Sequence, residues 1–180
     1  MRIALAESYD DRVKDSLFEI LRICDKEFFP PLSDRTGTMQ TDFANQSEAA
    51  GLDAYFTEIL KQRAILAEDD GGKIIGFLSF RLNPDTPILT PYFPIAHITT
   101  ICVSPAGRGQ GIGRSFYDFL FRWCEQNGVR YISTRTWSAN AGHIPLLRKL
   151  GFAAIHTIAD DRGKGVDTLY FLKELEGRIA

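Results

Sequence analysis

Between Val103 and Gly113 the chain reads Val-Ser-Pro-Ala-Gly-Arg-Gly-Gln-Gly-Ile-Gly, an apolar strand pattern that enters a glycine-rich turn and leaves it as an amphipathic helix. This passage constrains the fold more than any other. Gly109, Gly111 and Gly113 stand at alternate positions, so successive backbone N–H groups can converge on one anion, and the helix behind them adds the positive end of its dipole. A strand–turn–helix cradle for a phosphorylated ligand is predicted.

The spacing excludes the two commonest phosphate motifs. A P-loop ending on Gly113-Arg114-Ser115 has Arg108 at its first glycine and Arg114 at its lysine. A dinucleotide motif counted from Gly107, Gly109 or Gly111 places its third glycine on Ile112, Arg114 or Phe116. What fits is R-x-x-G-x-G, met by Arg108, Gly111 and Gly113 and preceded by V-x-P at Val103 and Pro105. Here the chain resembles the GNAT family of N-acetyltransferases. A second block, Asn140 through Gly151-Phe152, is similar to the family's last motif, and the likeness covers roughly residues 70 to 175.

The element pattern is read from periodicity. Arg2–Ala6 alternates as a strand, and Ser8-x-x-Asp11 reads as a capping box before Val13, Leu17, Ile20, Leu21, Cys24 and Phe28 recur at helical spacing up to Pro30-Pro31. Residues 30–47 read as loop. A second helix carries Leu52, Tyr55, Phe56, Ile59 and Leu60, and a hairpin joins strands Ala64–Ala67 and Lys73–Leu82 across Asp69-Asp70-Gly71-Gly72. Asn83–Pro94 holds four prolines and no period, so an exposed crossing is expected before strand Ile95–Val103. Helix Gly113–Gln126, strand Tyr131–Thr136, helix 142–150, strand Phe152–Ala159 and strand Thr168–Leu172 complete the order. The order predicts an α/β (α+β) fold with a mixed, twisted sheet of six to seven strands and helices on both faces. A single acyltransferase domain over residues 1–180 is expected.

Composition narrows the partners. A net charge of -2 gives no basic excess for a nucleic acid. No apolar run approaches the ~20 residues that span a bilayer, and the charged N-terminal segment is no leader pattern. Cys24, Cys102 and Cys124 are odd in number, in apolar surroundings and without metal spacing, so they read as reduced core thiols of a cytoplasmic protein, with one reactive thiol as the other reading. No metal is expected, and a homodimer is compatible with the sequence.

The resemblance implies acetyl-CoA as acyl donor, a small-molecule amine as acceptor and direct attack in a ternary complex. It implies that the strands ending near Val103 and beginning near Tyr131 splay, so that the backbone of Ile101, Cys102 and Val103 pairs with the pantetheine amides. Arg108, Gly109, Gln110, Gly111, Ile112, Gly113 and Arg114 would surround the phosphates. Arg108 reads alternatively as a solvated loop cation, and Asn140 as a helix cap rather than a pantetheine neighbour.

An alkyl amine of pKa near ~10.4 is only about one part in a thousand neutral at pH 7, so a base or a desolvating pocket is required. The position that is acidic in several family members, six residues before Val103, is His97. It reads as a general base or as an inert strand histidine. Many members carry a proton-donating tyrosine four residues before the Gly-Phe pair, where this chain has Leu147. Tyr117 and Tyr170 are the available phenols. Phe28, Phe29, Tyr92 and Phe93 could wall the acceptor pocket, and Asp34 and Asp42 could attract a cationic amine. Leu147 also leaves open a catalytically silent CoA-binding sensor.

Overall fold

The computed structural model describes residues 1–41, 43 and 51–176. In chain order these form β1 (Arg2–Leu5), α1 (Asp11–Cys24), α2 (Gly51–Leu60), β2 (Arg63–Glu68), β3 (Ile74–Leu82), β4 (Ile95–Val103), α3 (Ile112–Gln126), β5 (Tyr131–Trp137), α4 (His143–Lys149), β6 (Ala153–Ile158) and β7 (Thr168–Glu174). The strands make one seven-stranded sheet in the order β1-β2-β3-β4-β5-β7-β6. All neighbours run antiparallel except β4 and β5, which are parallel. The α/β fold class read from the element order is the one observed.

Alternation along each strand divides the core between the two faces. In β2, Ala64 and Leu66 join Val13, Leu17, Ile20 and Leu21 of α1 and Tyr55 and Ile59 of α2. Ile65 and Ala67 point the other way, toward Ile112, Phe116, Tyr117 and Leu120 of α3 and Leu147 of α4. Leu17 and Leu21 are fully buried, so truncating either to alanine costs about 2–5 kcal/mol.

Two local expectations are corrected. Helix α1 is capped by Asp10, not by Ser8: Asp10 is extended (φ -67, ψ 172) and its Oδ1 accepts from Val13 N at 2.8 Å. Placed three residues ahead of Val13, it meets the free N–H of the first turn, which Ser8 cannot reach. The crossing 83–94 is not all exposed either. Leu89 is fully buried and, with Ile95 and Tyr170, nucleates a third cluster against which Tyr92 packs. Its turn is held by Leu89 N and Thr90 N, both donating to Thr86 O, a local pattern that hydrophobic periodicity does not register.

The segment after α1 is folded back on itself. Asp25, 7% exposed, accepts from Ser33 N at 2.7 Å and from Ser33 Oγ at 2.9 Å, closing a loop around Pro30-Pro31. That closure turns Arg35 inward, to 5% exposure.

Two departures from regular sheet shape the region above. Opposite Ser79 and Phe80 the register shifts, Ser79 facing Thr100 and Phe80 facing Ile98, so Thr99 is an inserted residue. Further along, β4 pairs with β5 only from Ile95↔Tyr131 to Ile98↔Thr134, after which the two strands part.

Candidate active site

Where β4 and β5 part, a cavity of about 600 Å³ opens. One wall is the free edge of β4 from Ile98 to Val103, and the opposite wall is Thr134–Trp137 with Asn140, Gly142 and His143. Beyond Ile98 the backbone N–H and C=O groups on the β5 side of β4 have no strand partner, because β3 occupies only the other edge. This is the pairing geometry that a strand-like amide chain takes up.

The structure brings Ile101, Cys102, Val103, Arg108, Gly109 and Asn140 into the cavity wall. Gln110, Gly111, Ile112, Gly113 and Arg114 follow Gly109 in the chain but are outside the lining. Gly109 and Gly111 both have φ +76, a left-handed conformation that turns the chain into α3 without a Cβ clash. The first backbone bond of α3 runs from Ser115 N to Gly111 O at 3.0 Å, so the N–H groups of Ile112, Gly113 and Arg114 are left at the open helix end. Gly107, which lies outside the R-x-x-G-x-G match, carries the tightest packing: a Cβ there would lie 2.9 Å from Ile112 Cδ1 and 3.1 Å from Val103 Cγ1.

Arg108 is held by both neighbours of the cradle, Nε donating to Val103 O at 3.2 Å and Nη2 to Glu27 Oε1 at 2.6 Å. Arg114 instead spans one turn of α3 to Asp118. Gln110 Nε2 donates to Ala106 O at 2.9 Å and ties the loop to itself. Ile112 is a core residue, 2% exposed. Asn140 acts as a cap from the cavity wall: Oδ1 accepts from His143 N at 3.0 Å at the start of α4, Nδ2 donates to Thr136 Oγ1 at 2.9 Å, and the residue lines the cavity.

His97 is not brought into the cavity. It is fully buried one residue below the point where the strands part, its Nδ1 2.8 Å from Ser133 Oγ and its ring stacked on Tyr170 at 6.3 Å. Burial, reinforced by the guanidiniums of Arg135 and Arg81, pushes its pKa down to about 3. A ring so reluctant to take a proton, and without access to the acceptor, is a poor general base. The reading of His97 as base is therefore replaced by a structural one.

Sequence reasoning passed over the third residue after Asn140. His143 opens α4 from the cavity wall, and its Nε2 lies 2.7 Å from the hydroxyl of the buried Tyr117. Burial lowers its pKa to about 4, and the same cause raises the Tyr117 phenol. The signal was present as a histidine one helical turn before Leu147. Leu147 itself is fully buried in the α3-side core.

The other end of the cavity is cationic. Arg35, Arg135 and Arg162 all line it, with Phe28, Thr38 and Trp137 between them. Arg35 donates from Nε and Nη2 to Pro30 O at 3.1 and 2.8 Å. Arg162 donates from Nε to Thr168 Oγ1 at 2.9 Å and from Nη1 to Phe29 O at 2.5 Å. Arg135 reaches Thr38 O at 3.2 Å and the Tyr170 hydroxyl at 3.4 Å. All three guanidiniums stand over the Phe43 ring, 4.8 to 5.6 Å from its centroid. Burial first and mutual repulsion second lower Arg35, and bring Arg162 down to about 9.

Of the residues expected to shape an acceptor pocket, Phe28 lines the cavity, whereas Phe29 and Phe93 are 43% and 40% exposed and Tyr92 packs on Tyr131. Asp34 is exposed and outside the lining. Asp42 lies outside the described residues. Cys24 and Cys102 are free thiols in the wall, and burial holds Cys102 well above the usual thiol range.

Comparison with known proteins agrees with this geometry. The profile of the acetyltransferase (GNAT) family matches residues 16–152. Mycothiol acetyltransferase of Saccharomonospora viridis is 28% identical over 92 residues, which make up 51% of this chain and 30% of that protein. The chain thus matches about a third of the length of that curated relative. Among solved structures, an aminoglycoside 6'-N-acetyltransferase complexed with coenzyme A superposes with a TM-score of 0.70 at 15% identity, covering 100% of both chains. The ribosomal-protein-S18-alanine N-acetyltransferase of Escherichia coli gives 0.66 at 15% identity over 99% of both. At such identities the likeness to solved structures is one of fold, and it is the profile match, over the cradle and the parted strands alike, that makes this chain a member of the GNAT acetyltransferase family.

Proposed function

We propose that the protein transfers an acetyl group from acetyl-CoA to a primary amine by direct attack within a ternary complex. The observation that carries this reading is the parting of β4 and β5 directly behind the glycine turn: two unpaired strand edges lead from the cradle of Gly109 and Gly111 to the cavity floor. Acetyl-CoA supplies the activated acyl carbonyl. The edge at Ile101, Cys102 and Val103 pairs with the pantetheine amides, and the N–H groups of Ile112, Gly113 and Arg114 take the pyrophosphate. Arg108 exchanges its bond to Glu27 for a phosphate oxygen, since both are charge-assisted partners of one guanidinium.

Two proton problems remain for the chain. For the departing thiol, His143 takes the place of the missing tyrosine: with its Nε2 on the Tyr117 hydroxyl, the neutral ring is free to donate from Nδ1 toward the sulfur. A thiol of pKa near ~8.5 needs only modest help to leave, so a hydrogen bond suffices where a strong acid is absent. His143→Ala should lower kcat by about 10- to 100-fold, below the usual 10²–10⁴ for a full general acid, with little change in the KM for acetyl-CoA. An unchanged kcat would remove His143 from the reaction.

The test of the reading is twofold. Acetyl-CoA should raise the melting temperature of the protein but not of Gly111→Asp, which puts a carboxylate in the anion site. Amine-dependent release of free thiol should follow. Binding of CoA with no turnover on any acceptor would instead select the silent sensor.

A further inference from the structure

Buried cations are costly unless anions answer them, and this cavity holds two, Arg35 and Arg162, with the half-buried Arg135 beside them. Arg35, Arg135 and Arg162 come from three separate parts of the chain: the loop after α1, strand β5, and the turn between β6 and β7. Arg35 and Arg162 are each 5% exposed. Among the described residues none of the three makes a carboxylate ion pair, although the surface of the same protein pairs its arginines freely. Their visible hydrogen-bond partners are mostly backbone carbonyls, which fix the forks in position without neutralising them.

Among the described residues, the neighbouring charges do not cancel the cluster. Asp161 offsets Arg162 in part and receives the Thr168 hydroxyl. From β3, Arg81 is already paired with Glu58 of α2 at 2.7 Å. From β4, His97 is neutral at pH 7. Tyr55 of α2 bonds Thr100, and Tyr170 of β7 bonds Arg135. The lining carboxylate, Glu27, is at the opposite end on Arg108. Among the described residues, three guanidiniums stand against one nearby carboxylate, Asp161.

Arg135 is too far from the cradle to serve the cofactor phosphates. From Ile98 to Val103, β4 rises roughly 16 Å at ~3.3 Å per residue, and Arg135 follows Thr134, the last residue paired with β4. Arg135 stands where the strands part, and Arg35 and Arg162 join it over the Phe43 ring.

We infer that the acceptor is an amine of amino-acid size that also carries an anionic group, a carboxylate, phosphinate or phosphonate, held by the forks of Arg35, Arg135 and Arg162 while the amine faces the acyl carbon. This rests on the acetyl-transfer reading above. Planar guanidiniums suit such oxyanions because each offers two parallel donors. The same cluster repels polycationic acceptors. It also acts on the amine: an ammonium beside a net positive wall is disfavoured, so the free base is the form that settles, as for a lysine activated by a neighbouring cation. That accounts for a site with no unpaired carboxylate base among its described lining residues.

The experiment compares kcat/KM, by thiol release from acetyl-CoA, for α-amino acids, for the amines left when their carboxylate is removed, and for aminoalkyl phosphinates and phosphonates. At least one anion-bearing acceptor should exceed its anion-free partner by about 10²-fold or more. Arg135→Met should shrink that ratio below about 10-fold through the acceptor KM, leaving the KM for acetyl-CoA unchanged. Arg162→Lys, which keeps the charge and loses the fork, should fall between. The ranking of carboxylate against phosphinate and phosphonate identifies the anion. Equal or faster turnover of plain amines or of an aminoglycoside would overturn the inference and leave acetyl transfer standing. If no acceptor releases thiol, the transfer reading fails, and the anion site is tested separately by titrating N-acetyl amino acids against the fluorescence of Trp137, with Trp137→Phe as control. No saturable change at millimolar ligand, or one that survives in Arg135→Met, overturns the site.

Discussion

Gly107 and Gly111 stand four residues apart in the same loop and fail differently when substituted. At Gly111 a Cβ meets nothing within 4 Å, so the obstacle is φ +76, a left-handed strain of about 1–2 kcal/mol for most side chains. At Gly107 the space is filled, and alanine should lower stability by about 1–3 kcal/mol through overpacking against Ile112 and Val103. Denaturant midpoints separate the two: Gly107→Ala should be the less stable fold yet still respond to acetyl-CoA, and Gly111→Asp should fold and not respond. The buried histidines give a second prediction. His97 and His143 titrate near 3 and 4 in the native protein against about 6.5 when unfolded, so below pH 6.5 the unfolded chain takes protons that the fold refuses. Their contribution is complete above pH 6.5 and is lost as pH falls toward 4, at roughly 1.4 kcal/mol per pH unit for each. His97→Gln should make the decline of urea stability from pH 6.5 to 4.5 shallower by about one such increment, and an identical slope would show that His97 does accept a proton in the fold. The chemistry of the cradle was readable because glycine spacing is a backbone property that sequence states outright. The fate of His97 was not, because its burial depends on Ser133 and Tyr170, brought from distant strands.

Helix α4 is short, and its register decides which residue reaches the site. Its N-terminal residue His143 lines the cavity, and Leu147, one turn on, is driven into the core by Phe152 and α3. Leu147→Tyr should therefore not supply a catalytic phenol. It should cost about 1–3 kcal/mol by overpacking and leave kcat no higher than in the parent protein, as thiol release and thermal melting can decide. Periodicity located α1, α3 and the strands, whose apolar stripes face a core. It located the loop after α1 and the 83–94 crossing but not their closure, because Asp25–Ser33 and the turn at Thr86 close the backbone by polar contacts that leave no hydrophobic period.

Across the whole molecule, a net charge of -2 conceals three arginines gathered in the lining of one cavity. Summed composition cannot reveal that, because the three arginines lie far apart in sequence and are gathered by the sheet. The sheet itself is unevenly tied. Seven residue pairs join β3 to β4 and seven join β5 to β7, but four join β4 to β5, and beyond them the strands stand apart. At this seam the backbone ladder stops partway along both strands. Amide deuterium uptake along residues 99–103 should slow on addition of acetyl-CoA by more than that along β2, because the ligand supplies to one strand edge the pairing that β5 withholds. On the proposed reading, the protein would stiffen in the act of taking up acetyl-CoA and loosen again each time the spent thiol leaves.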